Sequence, residues 1–147
     1  MQQLRLIEEE LSRSVIGAFF EVYNTLGFGF LEDVYIKAMQ RELHARGHKA
    51  DRQIPIPIMY KGTRLSTQRL DMIVDDTLIV EAKSTLILHP IARRQLYSYL
   101  KATSLQVGLL LHFGPKASFY RQVLTTAEKN YADRTDSADL ADRKADS

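Results

Sequence analysis

The chain contains no cysteine. A disulfide framework, a thiolate metal site and a cysteine nucleophile are thereby excluded. It also lacks any apolar run long enough to span a membrane, and its first residues, MQQLRLIEEELSR, are too charged for a secretory signal. These absences fit a reducing cytoplasm and no membrane contact. No internal repeat and no second domain are visible. Ser12, Ser14 and Ser98 sit in no nucleophile elbow and beside no base pattern. The four histidines (His44, His48, His89, His112) show no metal-ligand spacing. His44 and His48 are four apart, but Gly47 interrupts the helix between them, so both are expected on the surface.

What is present is ordinary for a folded domain. At 147 residues, 45% hydrophobic and 26% charged, the chain is long enough for one buried core. The net charge of +2 is uneven, because the residues from Glu128 onward carry six acids and four bases, leaving +4 on the body. That balance permits nucleic-acid binding without demanding it. The expected division is a domain over 1–127 and a polar, disordered tail over 128–147, which opens as a frayed helix.

Leu4 to about Thr25 reads as a helix, with Leu4, Ile7, Leu11, Val15, Ala18, Phe19 and Val22 at three- and four-residue steps. The glycines of Leu26-Gly-Phe-Gly-Phe30 allow a tight turn into a second helix, about Phe30 to Arg46, with Gly47 as its stop. Its buried stripe would be Leu31, Val34, Tyr35, Ala38, Met39 and Leu43. Asp33 and Lys37 form a solvent-side pair. Glu32 projects near the apolar side, where a carboxylate needs a partner: a basic group, a metal, or a bond to a nearby loop. Gln53 to Tyr60 is a strand confined by two prolines to a sheet edge or its beginning. After a Lys61-Gly62 turn, Thr63 to Leu70 leads into a hairpin. Pro90 suits the first turn of a helix to about Thr103, with Ala92, Leu96 and Leu100 on its apolar line and Gln95 and Tyr99 on one flank. Arg93, Arg94 and Lys101 add basic charge there. Gln106 to Phe113 is a strand covered on both faces, and Ser118 to Leu124 a last short strand. The order is α-α-β-β-β-α-β-β: an α/β fold with a mixed central sheet flanked by helices.

The chemistry concentrates in Arg69 to Lys83, RLDMIVDDTLIVEAK. Its alternation breaks at Asp75-Asp76 and resumes, the signature of a hairpin. A three-residue turn over 75–77 sets Val74 opposite Leu78 and Asp71 opposite Glu81, on the face that Lys83 shares. Two carboxylates at that distance repel unless a cation lies between them. A paired oxygen site beside an ammonium is what a magnesium site for phosphate chemistry requires. The plainer alternative is a surface ion pair of Glu81 and Lys83, with Asp71 at a strand end. Arg69 either faces the site as a phosphate ligand or pairs with Asp71.

The order of elements, with Asp on one strand and E-x-K on the next, resembles the core of the PD-(D/E)xK nuclease superfamily, the restriction-endonuclease-like fold. Gly29 to Tyr35 spells G-x-x-E-x-x-Y. With RQIPIPIMYKG, RLD, VEAK, QLYSYL and GLLLHFG downstream, the chain is similar from Ile7 to Leu124 to the small bacterial and archaeal GxxExxY family. It departs from that pattern at Ala82, where E-L-K is usual, and at His112, where Asn often precedes Phe-Gly.

The resemblance implies that Asp71 and Glu81 hold Mg2+ or Mn2+ with the carbonyl of Ala82, and that Glu32 is an additional acidic ligand. It implies that Lys83 orients the attacking water and counters phosphate charge. Gln95 and Tyr99 match the Q-x-x-x-Y of RecB-like nucleases, beside the substrate backbone, where Arg69 and Arg94 would add phosphate contacts. The function so implied is hydrolysis of phosphodiester bonds in DNA or RNA, with DNA the first expectation; a chain this small would work as a homodimer or as a module of a repair or defence system. Its alternatives are a catalytically silent nucleic-acid-binding or scaffold protein on the same fold, and an interaction domain with no nucleic-acid role.

Overall fold

The computed structural model describes the backbone of residues 2–134 and the side chains of residues 8–134. Its elements are α1 (Gln2–Leu26), α2 (Glu32–Ala45), β1 (Ala50–Tyr60), β2 (Thr63–Val74), β3 (Leu78–Lys83), α3 (Ile91–Ala102), β4 (Val107–Phe113) and β5 (Ala117–Val123). A final helix, α4, covers 126–134. The expected disordered tail lies mostly outside the described residues.

The five strands lie in chain order across one sheet. Only β3 and β4 are parallel, and α3 makes the crossover that a parallel pair needs. β1 is an edge strand, as Pro55 and Pro57 require, since neither can donate to a further ladder. β4 is buried along its whole length, matching its unbroken apolar sequence.

Two cores sandwich the sheet. On one face Val15, Ala18, Phe19 and Val22 of α1 and Tyr35, Met39 and Leu43 of α2 pack on Met72, Val80, Leu109 and Phe113. The Phe113 ring is stacked by Tyr35 at 4.1 Å and met edge-on by Phe19 at 4.8 Å. Deleting such a ring costs about 3–5 kcal/mol. On the other face Ala92, Leu96 and Leu100 of α3 cover Ile79, Leu110, Leu70 and Ile56. Gly108 allows that approach: a Cβ there would lie 2.6 Å from the Leu96 side chain.

Two details differ from the sequence expectation. Leu31 and Val34 are exposed (80% and 39%) rather than buried; α2 starts at Glu32, so Leu31 only caps it, in extended conformation, outside the helical stripe. The β1–β2 ladder also changes face partway. Ala50 and Met72 belong to the α1/α2 core, yet Ile54, Ile56 and Leu70 belong to the α3 side. The change falls at Gln53, whose φ of 56° is left-handed, and at its neighbour across the ladder, Asp71.

Candidate active site

The hairpin register is the one its sequence predicts. Val74 pairs with Leu78 and Met72 with Val80, and Thr77 N–H closes the turn on the Val74 carbonyl at 3.0 Å. Continuing that register sets Asp71 against Glu81, but there the ladder stops. Side chains replace it. Asp71 N–H donates to Glu81 Oε1 at 3.0 Å, and Ala82 N–H donates to Asp71 Oδ2 at 2.9 Å. The switch of faces at Asp71 thus parts β2 from β3 and fills the gap with two carboxyl groups.

Glu81 is buried, with 7% of its surface exposed, so it is no surface ion-pair residue. Burial, reinforced by the Asp71 charge, pushes its carboxyl up to about 8, and the two groups are close enough to share a proton. Lys83, two residues on, is only half-buried and is not ion-paired among the described residues. Its charge nevertheless acts to lower the carboxyl values of Glu81 and Glu32.

Glu32 arrives from the first turn of α2. Burial raises its carboxyl above the ordinary range; Lys83 and a bond from the Ser84 backbone N–H oppose that, and Asp71 adds to it. It therefore lies within electrostatic reach of Asp71 while bonded to the chain just beyond β3. Tyr35 prepares this placement. Its hydroxyl donates to the Gly27 carbonyl at 2.5 Å and accepts from Phe30 N–H at 3.3 Å, folding the loop before Glu32. Gly27 and Gly29, at φ 70° and 121°, supply the backbone conformations that loop needs. Ser84 Oγ donates to the Phe30 carbonyl, tying the same loop to the end of β3.

From α3, Tyr99 feels the same acids: its phenol is raised by burial and then by the charges of Glu81 and Asp71. Gln95, one turn earlier, is exposed and lines with Lys83, Thr85 and His89 a cavity of about 210 Å³. Arg69 and Arg94 are both exposed. Arg69 forms no ion pair with Asp71 among the described residues, while Arg94 lies over the Tyr97 ring at 5.4 Å. His112, aligned with Lys83 across the parallel ladder, is buried and donates from Nε2 to the Thr85 carbonyl at 2.9 Å. It anchors the β3–α3 loop beside the cavity. Nothing in the local sequence signals that role.

The donors gathered here are hard oxygens. Asp71 and Glu81 supply carboxylates, and the Ala82 carbonyl leaves the strand on the same edge as its N–H, toward Asp71. Among the described residues no group of three or more His, Cys, Asp or Glu side chains is gathered tightly enough to hold an ion by itself. Magnesium, however, keeps several waters and is commonly held by one or two carboxylates, so the pair with a carbonyl fits it.

A second polar cluster lies away from this one. Ser14 Oγ is 2.7 Å from His48 Nε2, and His48 Nδ1 is 2.6 Å from Asp75 Oδ2. His48 is thus no free surface histidine, since the turn and α1 enclose it. The serine–histidine–acid order is not a hydrolase relay here. Ser14 lies in the interior of α1, where helical hydrogen bonds use the backbone N–H groups that an oxyanion hole would need.

Residues 9–123 match the family described as the PD-(D/E)XK nuclease superfamily. A solved structure titled "Crystal structure of SSO0001" is similar in fold, with a TM-score of 0.51 and 18% sequence identity. The match covers 67% of this chain and 53% of that one, so the chain spans about half the length of that protein. Comparison with curated proteins gives no match.

Proposed function

The chain belongs to the PD-(D/E)XK nuclease superfamily, and from that premise we propose that it hydrolyses phosphodiester bonds in a divalent-metal-dependent reaction centred on Asp71, Glu81 and Lys83. The observation that carries this reading is the meeting of two carboxyl groups from neighbouring strands, each bonded to the other strand's backbone, with the Lys83 ammonium, not ion-paired among the described residues, two residues on from Glu81. Burial and the Asp71 charge outweigh the opposing Lys83 charge and leave Glu81 with a raised pKa, a pattern found at functional sites.

Asp71, Glu81 and the Ala82 carbonyl would hold the ion, and Glu32, which feels the Asp71 charge, is a further acid for it. When bound, Mg2+ or Mn2+ supplies Lewis acidity toward the phosphoryl oxygens and makes a bound water more acidic. The protein groups do the rest. Lys83 offsets charge on the phosphate and orients the water that attacks it. Tyr99 and Gln95 flank the carboxylates from α3 and suit contacts to the substrate backbone. Arg94, turned onto Tyr97, and exposed Arg69 serve at most at the periphery.

The finer placement in the GxxExxY family also belongs to this proposal, supported by Glu32 and Tyr35 acting together: the tyrosine folds the loop that delivers the glutamate. So do DNA in preference to RNA, a cytoplasmic location, and a homodimer or a module of a repair or defence system. Among the described residues no helix is long and apolar enough to cross a membrane.

A competing reading, a nucleic-acid-binding protein on this fold without turnover, draws on the lack of a third converging acid or histidine among the described residues. Incubating labelled single- and double-stranded DNA and RNA with protein and Mg2+ or Mn2+ separates the two. The nuclease reading expects cleavage by the wild type and its loss in Lys83→Ala. Survival of every substrate through prolonged incubation would leave the binding protein.

A further inference from the structure

The β1–β2 hairpin extends well beyond both cores. β2 pairs with β3 only from Met72 to Val74, yet it pairs with β1 as far as Thr63 opposite Tyr60. Every residue from Lys61 to Arg69 is exposed. From Ile56 to Lys61 the free ribbon is roughly 17 Å long, at about 3.3 Å per residue.

Its composition is one-sided. Between Arg52 and Leu70 there is no acid, while Arg52, Lys61, Arg64 and Arg69 are basic, four cations in a chain whose net charge is +2. Arg52 is occupied at the base of the hairpin, donating to Gln40 at 2.8 Å and lying 3.8 Å from Asp33. The other three are free of ion pairs among the described residues. Tyr60, 58% exposed, lies beneath the Lys61 ammonium, 5.5 Å from ring centre to nitrogen. Fold stability does not call for so many cations on an unsupported ribbon. Like charge opposes the pairing of two such arms from two copies of the chain. Pro55 and Pro57 remove donors from the outer edge that a third strand would need.

A polyanion is the complement, and the shape selects among polyanions. The major groove of a DNA duplex admits a two-stranded antiparallel ribbon, whereas a single strand calls for a lined channel with stacking rings. The arm is also continuous with the site, because the strand that bears Arg64 and Arg69 goes on to bear Asp71. We propose that the β1–β2 arm is a duplex-DNA grip: it lies in a groove of the double helix with Lys61, Arg64 and Arg69 on phosphates and holds the backbone toward the carboxylates. This names the substrate form for the nuclease reading and rests on that reading.

The test pairs two measurements on the full chain. Anisotropy of a fluorescent short DNA duplex, and of its single strand, is followed across a salt series in EDTA for wild type and Lys61→Glu/Arg64→Glu. Hydrolysis of bis(p-nitrophenyl) phosphate with Mn2+ reports on the site without engaging the arm. The grip predicts tighter binding to duplex than to single strand in the wild type. In the variant, duplex affinity drops at least tenfold and the slope of log affinity against log salt falls by about two, near 0.9 for each lost phosphate contact. Hydrolysis of the small diester and the melting temperature stay at wild-type values. Unchanged duplex binding by the variant overturns the proposal. So does an equal loss for both nucleic acids, or salt-sensitive binding of polyglutamate in place of duplex, which would mark the arm as a site for an acidic protein. Arm-dependent duplex binding without diester hydrolysis would keep the grip and remove the nuclease. Diester hydrolysis without duplex binding would do the reverse.

Discussion

At its turn, the β2–β3 hairpin carries Asp75 and Asp76; at its open end it carries Asp71 and Glu81. The turn acids have partners at once. Asp75 accepts from His48 Nδ1 at 2.6 Å and from Lys49 N–H at 2.8 Å, and Asp76 meets the Lys49 ammonium at 2.9 Å. Burial alone would raise the Asp75 carboxyl, but the His48 and Lys49 bonds outweigh it and leave it lowered. At the open end each carboxyl accepts one backbone N–H and otherwise faces the other, and Glu81 rises to about 8. Residues of one type on one pair of strands are therefore tuned in opposite directions by what surrounds them. The turn is built to hold the fold. The open end leaves two carboxyl groups in conflict, which is where the proposed cation would act.

Neutralising one acid at each end should have very different consequences. Asp71→Asn should lower metal-dependent cleavage by at least about 10²-fold, the scale for losing one preorganised electrostatic contact. Asp75→Asn should leave cleavage within a few-fold, since asparagine tolerates the left-handed backbone at Asp75 (φ 51°). Turnover of labelled DNA by the two purified variants reads both outcomes.

Stability should separate the ends with opposite signs. A carboxyl whose folded value lies above its unfolded one leaves the folded state holding more protons between the two. Metal-free wild type should therefore lose stability as pH rises from about 4.5 toward 8, by at most about 1.4 kcal/mol per pH unit. Glu81→Gln should flatten that curve, whereas Asp75→Asn should cost about 1–2 kcal/mol near neutral pH through a weakened charge-assisted bond. Urea denaturation in EDTA across pH supplies the values. An unchanged slope in Glu81→Gln would mean the carboxylates are not in conflict.

A smaller effect should follow at Tyr35, away from both ends. Tyr35→Phe keeps the stacking on Phe113 and removes two hydrogen bonds, costing about 1–2 kcal/mol. Its loop would then hold Glu32 less firmly, so hydrogen exchange at Phe30 N–H should quicken.

Much of this architecture could be read locally. Asp75-Asp76 set the turn, the turn set the register, and the register placed Asp71 opposite Glu81. The prolines marked β1 as an edge, and the i,i+4 spacing set Gln95 and Tyr99 on one flank of α3. What escaped depended on distant partners. His48 looked solvated because Ser14 and Asp75 are 34 and 27 residues away. Leu31 fits a helical stripe by spacing, yet it lies just outside the helix. The change of face at Gln53 leaves no compositional trace, and it is what separates β2 from β3 at Asp71. His112 reads as part of an apolar strand, and only the returning β3–α3 loop gives it Thr85 to hold.

The central claim is that Asp71 and Glu81 share one point at which a cation replaces a proton. Calorimetric titration of Mn2+ into wild type and Asp71→Asn, each in two buffers of different ionisation enthalpy, tests it most directly. The wild type should bind with proton release near neutral pH, and Asp71→Asn at least tenfold more weakly. Equal binding by the two proteins, or none by the wild type, would contradict it.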